Sequence, residues 1–187
     1  MFNRRNFLRS TAAAAATLSA PTVVRAFELD PRYAPQPVTI SSQYKKGELL
    51  VLPKAHMLYF ITAPGEALRY GCGVGKAGLE FTGTATIDVK KKWPTWRPTN
   101  EMIEREPHLY TKFIDNDFVQ PGGADNPLGA RALYLFQNGY DTYFRIHGTT
   151  QPRSIGRSVS NGCIRMINEH VKDLYERVPI GTVVTVL

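Results

Sequence analysis

Short apolar stretches separated by turn residues recur along this chain from Leu49 onward, and only one stretch carries the period of a helix. Residues 49–52 and 57–61 are strand candidates, and Pro64-Gly65-Glu66 after them reads as a hairpin turn. Residues 68–74 form a glycine-punctuated strand, and residues 84–89 alternate as a strand does. Residues 132–136 and 142–146 are two more strands, joined by an Asn138-Gly139 turn. Val171, Leu174, Tyr175 and Val178 recur at i, i+3, i+4 and i+7 and predict a helix. Asn168 is its expected N-cap, Glu169 suits the first turn, and Pro179 stops it. Residues 182–186 return as a strand. Many short strands and one long helix predict a mostly β, sandwich-like domain with a minor helical part.

Residues 93–126 are the least regular stretch, with Trp93, Trp96, several prolines and the Pro121-Gly122-Gly123 turn. They suit short helices and loops lying over a site. The chain has 187 residues, with 43% hydrophobic and 21% charged side chains. That is enough for one packed domain with an appendage, and it excludes global disorder. No internal repeat or second domain is visible. Residues 27–44 include three prolines and read as an extended lead-in.

The formal charge of +7 is largely a property of the N-terminus. Residues 1–9 are basic, residues 11–20 are alanine-rich and mildly apolar, and Val24-Arg25-Ala26 offers a cleavage site. This is the layout of a secretory signal over residues 1–26, and adjacent Arg4 and Arg5 suggest twin-arginine export to the periplasm. The apolar run is too short and weak for a membrane span. Without this segment, which holds Arg4, Arg5, Arg9, Arg25 and no acid, nineteen basic side chains face sixteen acidic ones, a net +3. No basic cluster interleaved with aromatics remains, so a nucleic-acid partner is not expected. Lys90-Lys91-Lys92 reads as a solvated loop.

Two cysteines, Cys72 and Cys163, invite a disulfide in an exported chain. Their contexts differ. Cys72 sits in the apolar run Tyr70-Gly71-Cys72-Gly73-Val74 and suits a core. Cys163 follows Gly162 in a short loop ahead of the helix, where a glycine lets the backbone present a nucleophile. His147 ends a strand that can aim it. His56, His108 and His170 show no metal spacing, and His170 is expected at the surface. Neither a metal nor a cofactor is expected.

A thiol attacks a carbonyl as its thiolate, and a free cysteine has a pKa of about 8.5 that a nearby imidazole can lower. His147 would take the thiol proton and return one to the leaving amine. Its other ring nitrogen needs an orienting partner, and the Gly148 carbonyl is a candidate. The N–H groups of Gly162 and Cys163 could hold the oxyanion. Trp96 suits packing, with substrate contact as its other role. Arg165 could bind a substrate carboxylate or pair structurally.

The run His147-Gly148-Thr149, Ser154-Ile155-Gly156 and Ser160-Asn161-Gly162-Cys163-Ile164-Arg165-Met166 resembles the signature of the YkuD-type L,D-transpeptidases. The resemblance extends over Val74-Gly75-Lys76, Thr82-Gly83-Thr84, residues 94–98 and 126–129, and the terminal helix and strand, or roughly residues 45–187. It implies a YkuD-like β-sandwich with a few short helices and one longer C-terminal helix. It implies a cysteinyl acyl-enzyme formed on a peptidoglycan tetrapeptide stem, with the acyl group passed to an amine of a neighbouring stem. It matches Cys163 to the nucleophile, His147 to the catalytic histidine and Gly148 to the carbonyl partner. Ser160, Gly162 and Arg165 fall on site-shaping positions. Asn161 stands where many members carry a second histidine. Three alternatives remain open: an L,D-carboxypeptidase using water, an enzyme anchoring a protein to peptidoglycan, or a non-catalytic peptidoglycan-binding module.

Overall fold

The computed structural model describes residues 27–187; the proposed leader and its cleavage site lie outside the described residues. In chain order the elements are β1 (Gln36–Thr39), β2 (Leu49–Leu52), β3 (Met57–Ala63), β4 (Glu66–Gly71), β5 (Val74–Gly75) and β6 (Gly83–Lys92). Then come α1 (Asn100–Arg105), β7 (Arg131–Gln137), β8 (Tyr140–His147), β9 (Ser158–Ser160), β10 (Ile164–Arg165), α2 (Asn168–Arg177) and β11 (Val183–Val186). The domain is mostly β, as expected. Among the described residues, nine strands join in one mixed sheet, ordered β1-β4-β3-β2-β11-β6-β7-β8-β10, and β5 pairs with β9 in a small second sheet.

Local sequence explains most of this order. The β7–β8 hairpin turns at Asn138 and Gly139, both at positive φ (53° and 81°), which matches the twist of the flanking strands. Helix α2 lies against β7 and β8. Its Val171 and Leu174 are fully buried, with Leu133, Leu135, Ile146 and Met166 in the same core. Burying each such side chain contributes about 1.5–3 kcal/mol. The parallel pairing of β11 with β2 closes the sheet at its centre, Val184 opposite Leu49.

Several expectations change. The lead-in supplies the edge strand β1, paired with β4, and Tyr33, which packs with Met57 and Ile155. Lys90-Lys91-Lys92 is not a loop but the end of β6. Lys90 Nζ donates to the carbonyls of Tyr175 (2.6 Å) and Val178 (2.5 Å), capping α2 where its carbonyls lack partners. His170 is half-buried rather than a surface residue, and its ring lies 6.3 Å from that of Tyr70.

Asn168 does not cap α2. Ile167 holds the N-cap position, and the Asn168 side chain accepts a hydrogen bond from the buried Ala130 N–H at 3.0 Å. Tertiary pairing has taken the amide that local propensity assigned to the cap. Asn168→Ala leaves that donor unsatisfied and should lower stability by about 1–3 kcal/mol. A urea midpoint shifted down with unchanged slope is the expected result, and Asn168→Asp, which keeps an acceptor, should lose less.

Candidate active site

The site is built where β8 and β10 meet. They run parallel, with Ile164 opposite Ile146 and Arg165 opposite His147. Ile146 and Ile164 enter the core, so the alternating positions His147, Cys163 and Arg165 are turned to the other face. All three line a cavity of about 770 Å³. Its wall also includes Trp96, Arg105 and Tyr110 from the irregular stretch and Tyr143 and Arg145 from β8.

His147 is 4% exposed, and its Nδ1 lies 2.5 Å from the Gly148 carbonyl oxygen. A carbonyl only accepts, so Nδ1 carries the proton and Nε2 is left as a base. A Cβ at Gly148 would collide with the Asn168 side chain, so the bond to Ala130 and the carbonyl that orients His147 belong to one tight corner. Burial pushes the His147 pKa down to about 4, overriding the Gly148 bond that favours the charged ring.

Cys163 is partly buried and unbridged, and its Sγ sits 3.8 Å from the Tyr143 carbonyl. Tyr143 holds a positive φ of 60°, unusual for a tyrosine, at an irregularity in the β7–β8 pairing. The thiol pKa is raised by desolvation, although the Arg145 backbone and the charges of Arg145 and Arg165 pull the other way. Burial thus works against the imidazole-lowered thiol expected from sequence, and on both groups it favours the neutral form. Cys72 is a core residue with no exposure, and its thiol is pushed up to about 12 by burial.

Ser160 fixes the loop around the thiol. Its hydroxyl donates to the Cys163 carbonyl at 2.6 Å and accepts from Gly162 N–H at 3.2 Å. That bond engages one of the two amides expected for an oxyanion; the Cys163 N–H meets no acceptor among the described residues. Gly162 has a φ of 117°, and a Cβ there would strike the Phe144 ring. Only glycine fits. Asn161 reaches the other side of the cleft: its side chain accepts from Arg105 at 3.0 Å and donates to the Tyr110 hydroxyl at 3.2 Å. Trp96 packs edge-on against Phe113, as expected of a packing residue, and also lines the cavity.

The Arg165 guanidinium donates to the Gln151 side-chain oxygen at 3.1 Å. Arg145, which sequence reasoning passed over, forms a two-bond ion pair with Asp141 at 2.6 and 2.7 Å and lies over the Tyr134 ring. Stepping back by two from His147 would have found it, since alternate strand residues share a face. Arg105 and Tyr110 come from outside any regular pattern and offered no such signal.

Residues 46–186 match the family model of the YkuD L,D-transpeptidase catalytic domain. The chain belongs to the YkuD family. "Probable L,D-transpeptidase YbiS" of Escherichia coli is 31% identical over 152 residues, covering 79% of this chain and 46% of that protein. The chain thus spans about half the length of the curated relatives it matches. A crystal structure from Brucella melitensis, named "Probable carnitine operon oxidoreductase caia", is 55% identical with a TM-score of 0.57, covering 82% of this chain and 93% of that one. The oxidoreductase in that name is said of that protein alone. L,D-transpeptidase 3 of Mycobacterium tuberculosis shares the fold at 14% identity, with a TM-score of 0.54 over 74% of this chain and 60% of that one.

A thiol pushed up and an imidazole pushed down by burial give the site a pH signature. Iodoacetamide labelling of Cys163 should accelerate about tenfold per pH unit from pH 6 to 8.5, because the thiolate fraction rises in that proportion below the thiol pKa. Cys163→Ala supplies the blank. A flat, fast rate down to pH 6 would mean a preformed thiolate–imidazolium pair.

Proposed function

We propose that this chain is a periplasmic L,D-transpeptidase that crosslinks peptidoglycan stem peptides through an acyl-enzyme on Cys163. What carries the reading is a thiol and a Nδ1-protonated imidazole lining one cavity in a YkuD domain. Export on the Arg4-Arg5 leader belongs to the same proposal. No helix among the described residues is long and apolar enough to cross a membrane.

The donor stem lies in the cavity with its last peptide carbonyl against Sγ. As Sγ attacks, the C–S bond forms and the thiol proton passes to His147 Nε2. The Cys163 N–H faces the developing oxyanion. The C–N bond to the terminal residue then breaks, and Nε2 returns the proton to the departing amine. An acceptor amine next attacks the thioester, the C–S bond breaks, and the amine's proton goes by way of Nε2 to the thiolate. Thioester and amine become amide and thiol. A neutral imidazole is the competent base throughout, so acid should inactivate the site only as pH falls towards the His147 value of about 4.

Cys163→Ala should abolish crosslinking of purified tetrapeptide muropeptides, with no thioester adduct by intact mass and with unchanged thermal unfolding. His147→Gln should lower acylation by about 10²-fold or more. Crosslinking that survives Cys163→Ala would refute the assignment. Products gained only by water, or only on a protein amine, would favour the carboxypeptidase or anchoring alternatives.

A further inference from the structure

Tyr33 lies outside residues 46–186, the part of the chain that matches the family model, yet only 7% of it is exposed. Its ring spans a notch between two glycines. A Cβ at Gly71, the last residue of β4, would collide with the Tyr33 Cβ and the near edge of the ring. A Cβ at Gly156 would collide with the far edge and the hydroxyl. The ring joins Met57 and Ile155 in a small core, and Leu29, Tyr59 and Ile167 pack against it. Ile155 precedes the loop that carries Cys163, and Ile167 follows it. Both ends of that loop therefore rest on one cluster.

The lead-in fastens Tyr33 in place. Tyr33 ends a short helical turn, Pro31–Tyr33, capped by the Asp30 side chain. The Arg32 guanidinium lies 4.6 Å from the ring centroid, and the Arg32 carbonyl accepts from Arg69 at 3.2 Å. The pairing of β1 with β4 continues the attachment.

Backbone hydrogen bonds lead from the notch to the site. The Gly156 N–H donates to the Cys72 carbonyl at 3.0 Å. Gly73 exchanges two bonds with Arg165, each of 2.8 Å. The N–H groups of Val74 and Lys76 donate to the carbonyls of Arg157 and Ser160 at 3.0 and 2.9 Å. Residues 72–76 are thus a rail from which both limbs of the Cys163 loop hang, 156–160 on one side and Arg165 on the other. Arg165 stands opposite His147 in the β8–β10 pairing. Tyr33 sits where the rail begins, and a packed aromatic ring there fixes the spacing of rail and loop, because a close-packed interior yields little.

We infer that Tyr33 is a positioning residue: the lead-in is a strap whose ring holds the loop bearing Cys163 in register with His147. The premise that Cys163 is the nucleophile comes from the transferase reading above. The strap acts through the rail and the loop and touches neither reacting group.

The test compares three substitutions in the full chain. Tyr33→Ala removes the ring, Tyr33→Phe keeps it, and Val184→Ala opens a hole in the main core, a cluster separate from that of Tyr33. The readouts are acyl-enzyme formation from a tetrapeptide donor, amide hydrogen exchange over residues 156–165, and iodoacetamide labelling of Cys163 located by peptide mass. Tyr33→Ala should slow acylation at saturating donor by about tenfold or more with donor KM little changed, since the nucleophile is misplaced while the cavity is kept. It should also speed exchange at Gly156 and Arg165 and speed labelling, because a loosened loop opens the thiol to solvent. Tyr33→Phe should restore all three, and Val184→Ala should alter none at a temperature where it is fully folded. Where Tyr33→Ala does not fold, Tyr33→Leu, which keeps apolar volume without the flat ring, is read in its place with the same expectations. Acylation, exchange and labelling equal to those of the unsubstituted chain, or a loss that Val184→Ala matches, overturn the strap. If the unsubstituted chain forms no acyl-enzyme, the transferase reading falls instead, and exchange and labelling still decide the strap.

Discussion

The site depends on two residue pairs of parallel strand, β10 against β8. That short pairing brings His147 and Cys163, sixteen residues apart, onto one face. It also turns Ile146 and Ile164 inward as anchors. A parallel pair needs a crossover connection, and here the connection is the 148–163 segment itself. The loop thus serves the fold as a crossover and, in the proposed chemistry, carries the nucleophile. Ser160 holds its end, and the Asn168–Ala130 bond holds its beginning.

Burial decides the electrostatics. Two arginines near the thiol favour a thiolate, and the Gly148 carbonyl favours an imidazolium. Desolvation outweighs both, because taking a charge out of water costs more than these partners return. Both shifts run towards the uncharged form, the thiol upward and the imidazole downward. In the proposed reaction the proton therefore moves as the C–S bond forms.

Much of this was legible in the chain. The strand alternation, the Asn138-Gly139 turn and the α2 period all correspond to elements of the structure, because each is a local signal. The spacing of His147 and Cys163 marked two residues that the structure places in the wall of one cavity. What was not legible came from contacts far apart in sequence. Asn168 looked like a helix cap but is claimed by Ala130, and the Lys90 ammonium is drawn out of solvent by the α2 carbonyls. The lead-in looked detached until β4 offered it an edge. Arg105 and Tyr110 reach the cleft only through Asn161 and the packing around Trp96. The thiol's direction of shift was also hidden, since it depends on how deeply the loop is buried.

The protonation of His147 tests this account most directly. Nitrogen-15 NMR of the imidazole, followed from pH 3 to 9, reads both the tautomer and the charge. The account predicts a neutral ring with the proton on Nδ1 at pH 7, charging only as pH falls to about 4. An imidazolium at neutral pH that loses its proton together with the Cys163 thiol would contradict it.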